Sequence, residues 1–227
     1  MKSKKTIIAI GLIGVAVIIS ASLFETNISL KPSKLSRKIY TKVTGRIVSS
    51  EDLDYDQLSQ IVTPQEGKEV DVNWGDMGRK LIESGAIDYD AFKERYDGLD
   101  EEQLAVLNVE NMESITFNTE NIQFWTNVLW SLGLTQESKV LTEGPMEQNK
   151  EETPIENYAS TAGWTLGSKP AMELYNSSKL IELTQEQDEL VYKIAENIFR
   201  PCCGNDTAFP DCNHGMAVLG LLELMAS

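Results

Sequence analysis

Histidine occurs once in this chain, cysteine three times, and basic side chains number 20 against 35 acidic ones. Each shortage removes a class of function. With His214 as the only imidazole, a serine- or cysteine-type relay has a single candidate base, and no GxSxG turn accompanies it. Three cysteines cannot pair off among themselves and are too few to build a disulfide scaffold. A net charge of −15 repels a phosphate backbone, so nucleic acid is not an expected partner. HExxH, CxxCH, GxGxxG and GxxxxGK[ST] are all missing. The acidic run from Asp52 to Asp56 starts like a calcium loop, but Gln57 stands where the glycine is required and Thr63 where the closing glutamate is. Long apolar runs are missing as well, with one exception.

That exception is Ile7 to Phe24, IIAIGLIGVAVIISASLF, eighteen residues without a charge, preceded by Lys2, Lys4 and Lys5. At about 1.5 Å per residue the run reaches roughly 27 Å, close to the hydrocarbon thickness of a bilayer. The expectation is a single membrane-spanning anchor over residues 1–24. A cleaved signal peptide is the rival, because Ser20, Ala21 and Ser22 are the small residues such a cleavage site uses. Residues 1–46 carry nine basic side chains and one acid, whereas the remaining 181 carry eleven basic and 34 acidic. Residues 25–50 then read as a basic, membrane-proximal linker able to lie against anionic lipid headgroups, and residues 51–227 as an acidic domain. The charges abutting the apolar run place the N-terminus inside and the large domain outside, against a second set from Lys31 to Lys42 that pulls the other way.

Beyond residue 51 the pattern is helical. Met77, Leu81 and Ile82 share a face ahead of Gly85, and Asp88 or Tyr89 opens a turn carrying Phe92 and Tyr96. Asp100 with Gln103, and Thr184 with Gln187, have the spacing of capping boxes. Ile122, Trp125, Val128, Leu129 and Leu132 recur at helical intervals, with Gly133 expected as the stop. Leu190, Val191, Ile194 and Ile198 do so before Pro201, and Pro170 suits the first turn of a helix with Met172, Leu174 and Tyr175. Residues 143–157 read as a surface loop, and Trp164 between two glycines as a packing residue in a turn. Strand-like alternation is confined to Ile39 to Val48. The fold class expected is mainly α, a membrane segment followed by a compact multi-helix domain.

The chemistry concentrates in RPCCGNDTAFPDCNHG, residues 200–215, where Cys202, Cys203, Cys212 and His214 fall within thirteen positions. Three thiols and an imidazole form a ligand set suited to tetrahedral Zn²⁺, and thiolates equally suit Cu(I). A helix starting near Asn213 brings its positive end beside Cys212 and His214, which favours thiolate over thiol. Asp206 and Asp211 are available as oxygen ligands or as acceptors behind the imidazole. Adjacent Cys202 and Cys203 diverge in any regular backbone, so only an irregular turn lets both reach one ion. A disulfide from Cys202 or Cys203 to Cys212 is the alternative chemistry, promoted by an oxidising exterior. Three functions follow as expectations: a tethered extracytoplasmic metal-binding domain, a thiol–disulfide redox protein, or a stapled interaction module. No catalytic set is legible.

Overall fold

In the computed structural model, residues 66–108, 112–200 and 203–227 are described. The apolar segment 7–24, the linker 25–50, the alternating run 39–48 and Cys202 lie outside them. Among the described residues no helix is long and apolar enough to cross a membrane.

The domain is mainly helical, as expected. Strand β1 (Lys68–Asp71) pairs antiparallel with β2 (Ser114–Phe117), with Lys68 opposite Phe117 and Asp71 opposite Ser114. This ribbon departs from the sequence expectation. Each strand has four residues, and only Ile115 is buried, too little alternation to register as a period of two.

Between the strands run α1 (Met77–Ser84), α2 (Tyr89–Arg95) and α3 (Glu101–Asn108). Met77 and Leu81 bury the inner face of α1, and Gly85 ends it at φ +84°. Asp88 caps α2 by accepting from the Ala91 amide at 3.0 Å, so that Phe92 points inward. Asp100 and Gln103 exchange the two bonds of a capping box at the head of α3, at 2.8 and 3.2 Å.

Next come α4 (Ile122–Thr135), α5 (Lys139–Glu143), α6 (Pro145–Gln148), a 3₁₀ turn (Ile155–Asn157), α7 (Ala159–Ala162), α8 (Ala171–Leu174) and α9 (Gln185–Ala195). A two-residue hairpin, β3 (Phe199–Arg200) with β4 (Asn205–Asp206), leads to the closing helix α10 (Asn213–Ala226).

Residues 143–157 form more than a surface loop. They hold a helical turn and a 3₁₀ turn, and they bury Met146 and Ile155 as anchors between polar, solvent-facing neighbours. Thr184 and Gln187 do form the expected capping box on α9. The face of that helix differs, however: Val191 and Ala195 are buried, while Leu190 and Ile194 are 50% and 40% exposed. Trp164 is buried and donates its indole N–H to the Ala86 carbonyl at 3.1 Å, the packing role expected of it. Its ring lies against Trp130, with centroids 4.9 Å apart and tilted toward edge-to-face.

The core is organised by α4 and α10, which are buried along most of their lengths. Gly133 does not stop α4; the helix runs through it to Thr135. It marks instead the crossing with α10. A Cβ on Gly133 would lie 2.1 Å from the Met216 carbonyl oxygen and 2.8 Å from the Gly220 nitrogen, and one on Gly220 would lie 2.4 Å from the Leu129 carbonyl oxygen. Two glycines face each other so closely that backbone meets backbone. The helix-propensity cost of about 1 kcal/mol each is offset by that close packing.

Glu223, on α10, is fully buried, and neither carboxylate oxygen has a hydrogen-bond partner among the described residues. Burial pushes its pKa well above the usual carboxylate range. The nearby Ser138 hydroxyl opposes the rise without making a bond of good geometry, and the Asp188 charge adds to it.

Two outcomes follow. Gly220→Ala should destabilise the fold by about 2 kcal/mol or more, because the atoms its methyl meets are backbone and cannot swing aside; thermal unfolding should fall by roughly 4–8 °C. A gain in stability would show that the helices do not meet at this point. Glu223→Gln should behave in the opposite sense near neutrality. Because the folded-state pKa is raised, the wild-type carboxyl carries no ionisation penalty at low pH and destabilises progressively as pH climbs above its unfolded value of about 4.3. The variant should therefore unfold at higher temperature than wild type at pH 7, with the advantage vanishing toward pH 4. A pH-independent difference would contradict the burial of an ionisable group there.

Candidate metal centre

The site is built on the head of α10. Cys212 is its N-cap, and the sulfur accepts from the Gly215 amide at 3.4 Å, taking the place of the usual serine or aspartate oxygen. Upstream, β3 and β4 bring Cys203 back against it. The amides of Cys203 and Gly204 both donate to the Arg200 carbonyl, at 3.1 and 3.0 Å, and Gly204 turns the chain at φ +71°. The Cys203 and Cys212 sulfurs are 3.2 Å apart. That is beyond the ~2.05 Å of a disulfide but within direct contact. Asp211 completes the group: the two sulfurs and a carboxylate oxygen all lie within 4.8 Å of one another, and together they could hold a metal ion.

Arg200 holds this loop in shape. Its side chain is 6% exposed. Nη1 donates to the Cys212 sulfur at 3.0 Å. Nη2 donates to the Asp211 carboxylate at 3.0 Å, to the Asp206 carbonyl at 3.0 Å, and to the Asn205 side-chain oxygen and the Phe209 carbonyl. The other Asp211 oxygen accepts from the Asn205 amide at 3.0 Å, so the carboxylate is fixed from both sides. One buried guanidinium thereby satisfies acceptors from β4 to the start of α10 and stands against two of the three candidate ligands.

Gly215 makes that arrangement sterically possible. A Cβ there would sit 2.4 Å from Arg200 Nη1 and 3.1 Å from the Cα of Pro210. Only the bare backbone of the helix leaves room for the guanidinium.

Of the residues expected from sequence, the structure brings Cys203 and Cys212 together and adds Asp211 as the oxygen donor. Cys202 lies outside the described residues. His214 is exposed on the first turn of α10 and is not one of the three gathered ligands. Asp206 is turned to a different use: its backbone carbonyl accepts from Arg200, while its buried Oδ1 has no hydrogen-bond partner among the described residues. Arg200 was missed as a site residue. The only signal was its position at the head of the cysteine block, since no spacing rule ties an arginine to acceptors five to twelve residues away.

A polar cleft of about 430 Å³ opens between Ser138, Lys139, Thr184 and Asp188, but its charges are already engaged. Lys139 faces Glu143 and Glu189 at 3.6 and 3.7 Å, and Asp188 accepts from the Lys139 amide at 3.1 Å. The Cys203–Asp211–Cys212 group is where the chemistry gathers.

Fold and site together define a mainly helical domain that carries an arginine-buttressed dithiol at the N-terminus of its central helix. No family model, no curated protein and no solved structure matches the chain.

Arg200→Met should cost about 3–5 kcal/mol of stability, because it strands the Asp211 carboxylate and several carbonyls. Gly215→Ala deletes no hydrogen-bonding group, yet it should reproduce at least half of that loss by pushing the guanidinium off the helix. Chemical denaturation of both variants checks this. A silent Gly215→Ala would mean that Arg200 is not seated against α10.

Proposed function

We propose that this protein is a membrane-tethered domain, held by the segment 7–24 on the outer side of the membrane, that binds a soft or borderline metal ion through its C-terminal cysteine loop. The observation that carries the reading is the gathering of two thiols and a carboxylate within 4.8 Å. Thiolate sulfur selects Zn²⁺ or Cu(I) over the hard cations, and a carboxylate as third donor tilts the choice toward Zn²⁺.

The fit is close. Zn–S bonds of about 2.3 Å in tetrahedral geometry set two sulfurs about 3.8 Å apart, so an ion needs the observed pair to part by roughly half an ångström. With both thiols and Asp211 ionised, three negative charges meet the ion and the Arg200 cation. Arg200 and Asn205 orient Asp211 from behind, the role that hydrogen-bonding partners behind a metal ligand commonly play. Cys202 and His214 adjoin the group in sequence and are the candidates for the remaining position.

The test is a titration of the reduced full-length chain with Zn²⁺ against a competing chelator. One equivalent should bind. Cys212→Ser should weaken binding most, because that sulfur is both ligand and helix cap. Asp211→Asn should weaken it by more than the ten- to a hundredfold that loss of a partner behind a ligand costs. His214→Ala should have the smaller effect if Asp211 is the third donor, and the larger one if the imidazole is. Each thiol must give up a proton to bind, so affinity should decline on acidification, with proton release measurable during the titration. Absence of stoichiometric binding by the reduced chain at neutral pH would end this reading.

A further inference from the structure

We infer that Cys203 and Cys212 form a reversible disulfide that switches the metal site off, an inference that rests on the metal-binding reading above and adds a redox control to it. Three features carry it. The two sulfurs are 3.2 Å apart, so forming a bond of about 2.05 Å requires an approach of only about 1 Å. Both cysteines are partly exposed, so a small disulfide reagent or an exposed disulfide on another protein can reach them.

Cys212 is the cap of a fourteen-residue helix, and its sulfur faces that of Cys203 across the turn that Gly204 makes at φ +71°. The Arg200 guanidinium and the Gly215 amide both donate to the Cys212 sulfur, at 3.0 and 3.4 Å, and hold it at the helix end facing Cys203.

The step is a thiol–disulfide exchange with a disulfide oxidant, R–S–S–R. One cysteine thiolate attacks the oxidant and releases the first R–SH. The second cysteine then attacks the mixed disulfide, forms the Cys203–Cys212 bond and releases the second R–SH. The two cysteines lose two electrons and two protons, and the oxidant's two sulfurs gain them. The product keeps the Arg200–Asp211 ion pair but has no thiolate to offer at either position, so a single carboxylate remains of the three gathered ligands. A bound ion is then released, and metal occupancy in turn protects the pair from oxidation.

The experiment uses the full-length chain carrying Cys202→Ser, so that only one pair can form, alongside wild type. Each is prepared reduced, or oxidised with oxidised glutathione and freed of reagent. Each preparation is titrated with Zn²⁺ and mapped by mass spectrometry after alkylation of thiols. The reduced wild-type chain should bind one equivalent, and reduced Cys202→Ser is the reference for its own oxidised form. The oxidised form should show a mass lower by about 2 Da before alkylation, a Cys203–Cys212 cross-link after it, and affinity lowered at least a hundredfold relative to the same chain reduced, with dithiothreitol restoring it. Zn²⁺ added before the oxidant should slow cross-linking severalfold.

If the reduced chain binds but no Cys203–Cys212 cross-link forms, or the cross-linked form binds as tightly, the switch is overturned and the metal site stands. If the reduced chain does not bind at all, both are overturned. The reduced arm alone tells the two failures apart.

Discussion

The backbone contact between Gly133 and Gly220 is the constraint on which the rest of the domain depends. It sets two long buried helices against each other at a distance that any side chain would prevent. From that crossing the position of α10 follows, and from α10 the position of its first turn, where Cys212 serves as cap. Precision at the site thus comes from the core, through a rigid helix, to a loop that has little apolar surface of its own. The arrangement places a chemical group on the end of a buried helix and brings a short hairpin back against it.

Arg200 is the second organising element. Buried cations are costly to desolvate, and this one is retained because it meets acceptors on every side, including the Asp211 carboxylate and the Cys212 sulfur. An apolar residue in its place would fill the volume but leave those acceptors without partners. The same guanidinium that makes the loop fold also holds the electrostatics of the dithiol. Gly215 gives way to it on one side and Asn205 steadies its partner carboxylate on the other. Glu223, farther along α10, is the opposite case, a buried carboxyl whose oxygens accept no hydrogen bond from the described residues.

Much of this was legible where the signal is local. The caps at Asp100 and Thr184, the helix start near Asn213, the mainly helical character and the crowding of cysteines at residues 202–212 depend on residues a few positions apart. The remainder depends on distant neighbours. Lys68–Asp71 becomes a strand only because Ser114–Phe117 lies beside it, and neither is long enough to announce itself. Gly133 reads as a helix stop until the facing Gly220 is seen, after which the same lack of a side chain explains a crossing. Leu190 and Ile194 have helical spacing on a helix whose buried face is Val191 and Ala195. At the site, the cysteines were evident from their rarity. The choice of Asp211 as the gathered donor, and the hub role of Arg200, depended on the path of the hairpin.

Joint coordination of one ion by Cys203, Cys212 and Asp211, as proposed, is decided by X-ray absorption at the zinc edge on the reduced full-length chain carrying one equivalent of Zn²⁺. The expected shell has at least two sulfur scatterers at about 2.3 Å and the remaining oxygen or nitrogen scatterers at about 2.0–2.2 Å, with the sulfur contribution reduced in Cys212→Ser. A shell of oxygen and nitrogen alone would contradict it.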